Sequence, residues 1–221
     1  MQEPMRVVVV ASGEIGPSDV AWLDGADLII AADGGASSLE QLGRGPDLLV
    51  GDFDSVEASL VGRLETSGTR VERHSIDKEA SDTELAVEAA FGAGATAVVV
   101  LGAMGGERLD HELANLLLLG DPDLAGRDLR AVRGRTCVRA IHAGHRLVLE
   151  GDVGDLVTLL PVGGDATGVT TEGLRWSLEA ATLSMGRSRG LSNEIVHAPA
   201  SVRISEGTLL VVETASRGEI S

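Results

Sequence analysis

The chain has 221 residues, and its 34 acidic against 18 basic side chains give a formal net charge of −16 at pH 7. A surface this acidic repels polyanions, so composition argues against nucleic acid and anionic membranes as partners. No stretch approaches the roughly 20 apolar residues of a membrane span, the first residues lack a signal-peptide pattern, and Cys137 is the only cysteine, so no internal disulfide can form. Together these features predict a cytoplasmic protein.

Apolar runs alternate with helical segments in the first half of the chain. Runs rich in Val, Ile and Leu indicate strands that are buried on both faces. The predicted strands are residues 6–11, 27–32, 47–50, 69–73 and 96–101, and the predicted helices are residues 18–24, 37–42, 56–65, 82–90 and 108–119. This alternation predicts a parallel sheet with helices on its faces, a Rossmann-like α/β domain over residues 1–127.

The pattern of the sequence changes after residue 127. Short β-prone runs separated by turns replace the helical periodicity, at residues 129–133, 136–141, 145–149, 156–160, 168–171, 202–204 and 209–213. Such a pattern favours an all-β domain, and we expect a β-sandwich over residues 128–221.

Two aspartates, Asp52 and Asp54, follow the third predicted strand in the segment Gly-Asp-Phe-Asp-Ser at residues 51–55. At alternate positions of an extended segment their side chains point to the same side, so their repulsion has to be offset by a partner. A divalent cation would do this, and Mg²⁺ is the natural candidate for hard oxygen ligands. The alternative is an Asx-turn with Ser55 as a helix N-cap, in which the two carboxylates only shape the loop.

The loop after the second predicted strand contains Asp33, Gly34 and Gly35. The two glycines precede a helix, and their lack of side chains lets backbone N–H groups approach a ligand at the helix N-terminus. A plain turn is the alternative. In a parallel sheet this loop lies at the same edge as Asp52 and Asp54.

The segment after the fourth strand contains Lys78, which is the only lysine of the chain. A lysine ammonium is a compact charge that suits contact with a phosphate. Ser81 and Glu84 form a predicted capping box, which places Asp82 in the first turn of a helix. Asp82 either joins the acidic cluster or only complements the helix dipole.

Glycines open the loop after the fifth strand, and Arg108, Asp110 and His111 then enter a helix. Arg108 can pair with a phosphate while Asp110 fixes its geometry, and His111 is more simply a hydrogen-bonding group at the helix N-terminus. Two nucleotide motifs are excluded. The chain contains no GxxxxGK[ST] segment, and its first strand does not lead into GxGxxG, so neither a P-loop nor a nicotinamide site is expected.

Aromatic residues are scarce in this chain, which has two Trp, two Phe and no Tyr. Trp176 lies in the predicted β domain beside a Gly-Leu turn at residues 173–174. Its ring is therefore a candidate stacking platform for a flat ligand. The alternative is a tryptophan buried in the core.

These motifs, taken in order, resemble those of the thiamine pyrophosphokinase family over nearly the whole chain. They are Asp-Gly-Gly-Ala at residues 33–36, Gly-Asp-Phe-Asp-Ser at 51–55, Lys-Glu-Ala-Ser-Asp-Thr-Glu at 78–84, Gly-Gly-Glu-Arg-Leu-Asp-His at 105–111, Gly-Leu-Arg-Trp-Ser-Leu at 173–178 and Ser-Asn-Glu at 192–194. Glu79 and Ser81 depart from the family's more frequent Asp and Thr, which leaves the role of Glu79 open.

The resemblance implies transfer of pyrophosphate from ATP to the hydroxyl of thiamine, with Mg²⁺ as cofactor. It implies catalytic roles for Asp52, Asp54, Asp82 and Lys78 and metal binding by Asp52, Asp54, Asp82 and Asp33. The implied ATP-binding residues are Asp33, Gly34, Gly35, Lys78, Gly106, Arg108, Asp110 and His111. Trp176, Ser192 and Asn193 would bind thiamine, and a homodimer would share each site between its subunits. Two alternatives keep the scaffold: a kinase for another small alcohol, and a regulatory protein that binds a nucleotide or thiamine without catalysis.

Overall fold

A computed structural model of the chain describes residues 5–54, 56–75 and 79–216. The chain divides into two compact units. The first contains Met1–Asn115 with Ala131–Arg133, and the second contains Leu116–Arg130 with Gly134–Ser221. The fold is mixed α/β, with a parallel sheet in the first unit and antiparallel strands in the second.

Five strands form the parallel sheet of the first unit. They are β1 (Arg6–Val10), β2 (Leu28–Ala32), β3 (Leu48–Gly51), β4 (Arg70–Arg73) and β5 (Ala97–Leu101). The order in the sheet is β4-β3-β2-β1-β5, and every neighbouring pair is parallel. Residues 7–10 of β1 are fully buried, as expected for a strand covered on both faces. All five predicted strands are confirmed.

Four α-helices follow strands of the parallel sheet. They are α1 (Gly35–Gln41), α2 (Ala58–Ser67), α3 (Asp82–Gly92) and α4 (Leu109–Leu118). The predicted helix at residues 18–24 is instead the 3₁₀ helix Pro17–Trp22, a geometry that is common in short connectors. Helix α2 begins at Ala58 with Glu57 at its N-cap position. Ser55, the cap that the sequence suggested, lies outside the described residues.

The second unit is built around one long strand. Its strands are β6 (Asp128–Arg133, which continues into the first unit), β7 (Thr136–His142), β8 (Arg146–Val148), β9 (Leu156–Glu172), β10 (Ala181–Leu183), β11 (Asn193–Glu194), β12 (Ser201–Arg203) and β13 (Glu206–Thr214). The antiparallel order is β7-β13-β9-β12-β8, and both β10 and β11 also pair with β9. The sequence predicted two separate strands here, at residues 156–160 and 168–171. In the structure they are parts of one strand of 17 residues, which also includes Gly163 and Gly164.

A buried ion pair joins two neighbouring strands of the second unit. Arg139 on β7 and Glu213 on β13 are each only 6% exposed, and Arg139 Nη2 donates to Glu213 Oε1 at 2.5 Å. The other oxygen of Glu213 accepts hydrogen bonds from the backbone N–H groups of Glu150 and Gly151 at 2.8 and 3.0 Å. Arg139 Nη1 also donates to Glu150 Oε1 at 2.9 Å. The buried carboxylate is therefore compensated on both oxygens.

Helix α4 presents apolar side chains to solvent. Leu109, Leu113 and Leu117 recur every fourth residue and are 65%, 51% and 57% exposed. This spacing places them on one face of the helix. Among the described residues, no helix is both long and apolar enough to cross a membrane.

Candidate active site

A cavity of about 460 Å³ opens at the carboxyl edge of the parallel sheet. The loops after β1, β2, β3 and β5 and the first turns of α3 and α4 supply its lining residues. Strand β1 is the point at which the strand order reverses, because β2 lies on one side of it and β5 on the other. Open parallel sheets bind their ligands at such a point, so this cavity is the candidate active site.

Three aspartates bring their carboxylates together in the cavity. Asp33 follows β2, Asp52 and Asp54 follow β3, and one carboxylate oxygen of each lies within 4.8 Å of the other two. The parallel register of β2 and β3 explains this proximity, because both strands end at the same level of the sheet. The structure thus brings together three of the four aspartates that the sequence proposed as metal ligands.

The loop around these aspartates combines a turn with unusual backbone conformations. Asp52 Oδ1 accepts a hydrogen bond from the Asp54 N–H at 3.2 Å, so the Asx-turn considered as the alternative is present as well. Asp33 and Phe53 have φ angles of 45° and 65°, in the left-handed region that residues with side chains seldom adopt. Phe53 is buried, and its ring centre lies 4.9 Å from the guanidinium carbon of Arg73. Conformations of this kind concentrate at functional sites.

The three carboxylates suit Mg²⁺. The ion prefers oxygen ligands at about 2.1 Å in octahedral geometry, so two oxygens bound to one ion lie about 3–4 Å apart. Oxygens that already lie within 4.8 Å of one another reach this spacing by small side-chain adjustments. A bound cation would also offset the mutual repulsion of three adjacent carboxylates.

Asp82 is the first residue of α3 and lines the same cavity. The predicted capping box is confirmed: Glu84 N donates to Ser81 Oγ at 3.2 Å, and Ser81 N donates to Glu84 Oε2 at 3.4 Å. Asp82 Oδ1 lies 3.1 Å from the position that a Cβ atom would occupy on Gly51, which places this carboxylate at the end of β3. Asp82 does not belong to the close group of three, so its metal-binding role stays a prediction.

Gly35 has a packing function. A Cβ atom on Gly35 would lie 1.9 Å from the carbonyl oxygen of Val10, so a glycine is required for α1 to start directly against β1. Neither glycine is among the described residues that line the cavity. Their predicted contact with a nucleotide therefore stays a prediction.

Sequence reasoning missed the contribution of Ser12 and Gly13, which follow β1 and line the cavity. A Cβ atom on Gly13 would lie 2.4 Å from the carbonyl oxygen of Gly102, and the Gly13 N–H donates to that oxygen at 2.8 Å. The loops after β1 and β5 are thus in backbone contact. The sequence does carry a signal, since the small residues Ala11, Ser12 and Gly13 follow the central strand, but they do not match the GxGxxG spacing.

Gly106, Arg108 and His111 line the cavity as well, and Asp110 lines a neighbouring cavity of about 310 Å³. Arg108 Nε and Nη2 donate to the two carboxylate oxygens of Asp110 at 2.9 and 2.6 Å. The hydrogen bond and the charge of Arg108 lower the pKa of Asp110 far below its ordinary value. Asp110 therefore stays ionised at acidic pH values at which unpaired carboxylates are protonated. Asp110 therefore holds the guanidinium in place, as predicted. Lys78 lies outside the described residues.

In the second unit, Trp176 has an accessible ring. Trp176 is 59% exposed, which argues against the alternative of a tryptophan buried in the core. The guanidinium carbon of Arg175 lies 5.9 Å from the ring centre, and Arg175 is itself paired with Glu194 at 2.9 Å. The ring is thus available to a ligand, as a stacking platform requires.

Asn193 holds the backbone of Trp176 in place. Its Oδ1 accepts a hydrogen bond from the Trp176 N–H at 3.1 Å, and its Nδ2 donates to the Trp176 carbonyl oxygen at 2.8 Å. Asn193 is only 8% exposed, so these bonds favour a positioning role over direct ligand contact. Its neighbour Ser192 has a φ angle of 55° and is anchored by a bond from its N–H to Thr158 Oγ1 at 3.0 Å.

Two family models match the chain in succession. Residues 21–128 match the model described as "Thiamin pyrophosphokinase, catalytic domain", and residues 144–209 match "Thiamin pyrophosphokinase, vitamin B1 binding domain". Together they span most of the described residues of both units. The first model includes Asp33, Asp52, Asp54 and Asp82, and the second includes Trp176 and Asn193.

Known proteins agree with this match. Thiamine pyrophosphokinase of Bacillus subtilis is 23% identical over 208 residues, covering 93% of this chain and 97% of its own. The crystal structure of the B. subtilis protein superposes with a TM-score of 0.83 over 96% of this chain and all of that one. The structure from Geobacillus thermodenitrificans, at 25% identity, gives a TM-score of 0.79 over 98% of this chain and all of that one. The chain belongs to the thiamine pyrophosphokinase family.

Proposed function

We propose that the chain transfers a pyrophosphoryl group from ATP to the hydroxyl group of thiamine, giving thiamine diphosphate and AMP. The observation that carries this proposal is the convergence of Asp33, Asp52 and Asp54 in a cavity that also contains Arg108. Transfer between phosphates depends on cations positioned around them. Family membership supports the same reaction. A regulatory binding protein is not favoured, because binding alone does not require three converging carboxylates.

The reaction forms one bond and breaks one bond. The hydroxyl oxygen of thiamine attacks the β-phosphorus of ATP, and the bond from that phosphorus to the oxygen shared with the α-phosphate breaks in line with the attack. AMP leaves with the bridging oxygen. The hydroxyl proton passes to a nearby base, for which the cavity aspartates are the candidates.

Each charged group of the cavity has a distinct task in this proposal. Asp33, Asp52 and Asp54 would hold Mg²⁺, with Asp82 as a further candidate ligand, and the bound ion supplies charge neutralisation to the phosphate oxygens. Arg108, oriented by Asp110, donates hydrogen bonds to a phosphate. Lys78, Gly106 and His111 keep the nucleotide-binding roles that the family resemblance implies.

The direct test is to incubate the protein with ATP, Mg²⁺ and thiamine and to measure both products. We expect AMP and thiamine diphosphate in equal amounts, and AMP formation only when thiamine is present. A second small primary alcohol in place of thiamine tests the acceptor. Absence of thiamine diphosphate with every divalent metal would contradict the proposal. Faster transfer to the other alcohol would show that this alcohol, rather than thiamine, is the preferred acceptor.

Replacing Trp176 with alanine is expected to raise the KM for thiamine about tenfold or more and to change kcat little. Stacking of a base on an aromatic side chain contributes about 1–3 kcal/mol, and the exposed ring of Trp176 contributes little to the core. The measurement is steady-state kinetics with thiamine varied at saturating ATP. The matched control is Trp22→Ala, which removes the other tryptophan, located in the first unit. A normal KM with a lowered melting temperature would assign Trp176 a structural role instead.

We further infer a homodimer that shares each site between subunits. The exposed leucines of α4 and the exposed ring of Trp176 support it, since apolar side chains at regular spacing on a helix are typical of an interface. Within this proposal the first unit is Rossmann-like and the second is a β-sandwich. Residues 1–127 bind the nucleotide and the metal, and residues 128–221 bind thiamine. Cytoplasmic location and the absence of nucleic-acid and membrane partners belong to the same proposal.

A further inference from the structure

The charge of the candidate active site is opposite to what a nucleotide needs. Among the described residues, the cavity is lined by one arginine, Arg108, and by six acidic side chains: Asp33, Asp52, Asp54, Asp82, Glu107 and Glu112. Mg²⁺ offsets part of this negative charge, but ATP brings further negative charge of its own. A second arginine next to the cavity would therefore be useful for binding.

Arg133, at the end of β6, is not itself a lining residue but lies next to Gly105, which is one. Its guanidinium carbon is 2.8 Å from the position that a Cβ atom would occupy on Gly105, and its Nε and Nη1 atoms are each 3.1 Å from the same position. The guanidinium group therefore lies on the backbone of Gly105, which lines the cavity together with Gly106 and Gly13. None of the sequence motifs includes Arg133.

Arg133 is paired with Glu14, from the loop that follows β1. The two side chains are 44% and 61% exposed. Exposed ion pairs stabilise a protein only slightly, so exchanging Glu14 for another anion costs little. A phosphate of ATP is a suitable replacement, because a guanidinium binds it through two parallel hydrogen bonds as it does a carboxylate, and the phosphate chain carries more negative charge.

We propose that Arg133 is a further phosphate-binding residue, which pairs with Glu14 in the free protein and with a phosphate of the nucleotide in the complex. This inference rests on the proposed function, because it assumes that ATP occupies the cavity. Glu14 is then a competitor that weakens nucleotide binding. If the ion pair of Arg133 and Glu14 instead only stabilised the loops after β1 and β5, removing Glu14 would weaken nucleotide binding. The phosphate-binding role predicts the opposite, that removing Glu14 strengthens it.

The test measures the affinity of the Mg²⁺ complex of α,β-methylene-ATP by isothermal titration calorimetry, without thiamine. We expect Arg133→Ala to weaken binding about 10- to 100-fold, as for loss of a charge-assisted hydrogen bond. Glu14→Gln is expected to tighten binding about two- to fivefold. In the Arg133→Ala background, Glu14→Gln is expected to have no effect, because its action passes through Arg133.

Arg135→Ala is the matched control, because it removes an exposed arginine two residues away that contacts the backbone carbonyl of Ser216. Normal affinity of Arg133→Ala, or weaker binding by Glu14→Gln, overturns the inference. If Arg133→Ala fails to fold, the sign of the Glu14→Gln effect decides alone. Failure of the wild-type protein to bind the analogue would overturn the proposed function and this inference together, whereas binding that is insensitive to Arg133 overturns only the latter.

Discussion

Replacing Asp54 with asparagine is expected to lower kcat for thiamine diphosphate formation by about 10³-fold or more while the fold is retained. Asp54 is exposed, so an isosteric amide leaves packing unchanged. Its carboxylate belongs to the group of three whose oxygens lie within 4.8 Å of one another. A metal contributes several kcal/mol of charge stabilisation in the transition state, and each 1.4 kcal/mol is about tenfold in rate. Losing one charged ligand therefore affects chemistry far more than stability.

Two measurements accompany this variant. Titration with Mn²⁺ or Mg²⁺ should show weaker metal binding, and thermal unfolding should be close to that of the wild-type protein. Asp24→Asn is the matched control, because it makes the same change in charge at an exposed aspartate that pairs with Arg44 at 2.6 Å. Full activity of Asp54→Asn would remove Asp54 from the metal site.

Replacing Arg139 with methionine is expected to destabilise the second unit by about 3–5 kcal/mol. The substitution leaves Glu213, which is 6% exposed, without its cationic partner, and an uncompensated buried charge has a cost of this size. The two backbone N–H groups that also bind Glu213 do not replace the lost charge. Urea unfolding followed by circular dichroism measures the effect.

The double variant Arg139→Met, Glu213→Leu tests the cause. It replaces the pair with apolar side chains of similar size, and we expect it to recover most of the lost stability, because an apolar replacement also removes the desolvation cost of both charges. Arg203→Met, at an exposed position of β12, controls for loss of an arginine. A loss below about 1 kcal/mol in Arg139→Met would show that water or another group compensates Glu213.

The parallel sheet was predictable because its strands carry an unambiguous signal. Uninterrupted apolar runs such as residues 7–10 and 98–101 are buried on both faces, and a helix follows most of them at a predictable distance. In a parallel sheet all such strands end at one edge, so Asp33, Asp52 and Asp54 could be assigned to the same side before any distance was known. The capping box of Ser81 and Glu84 was equally local and is observed.

Features that depend on distant parts of the chain could not be predicted. Arg133 and Glu14 are separated by 119 positions, and nothing near either residue indicates the other. The hydrogen bonds of Asn193 to Trp176 also need the fold, since the family resemblance implied only a ligand contact for Asn193. The 3₁₀ geometry of Pro17–Trp22 reflects the small energy difference between helix types in a short segment.

The position of β13 has a consequence for how the protein is made. This strand is the last of the described strands in chain order, yet it lies between β7 and β9 and pairs with both. Synthesis proceeds from the N-terminus, so most of the first unit leaves the ribosome early and can begin to fold. The edges of β7 and β9 that pair with β13 have no partner until residues 206–214 leave the ribosome. Nascent chains stalled before that point therefore expose the unpaired edges of β7 and β9, which other chains could pair with.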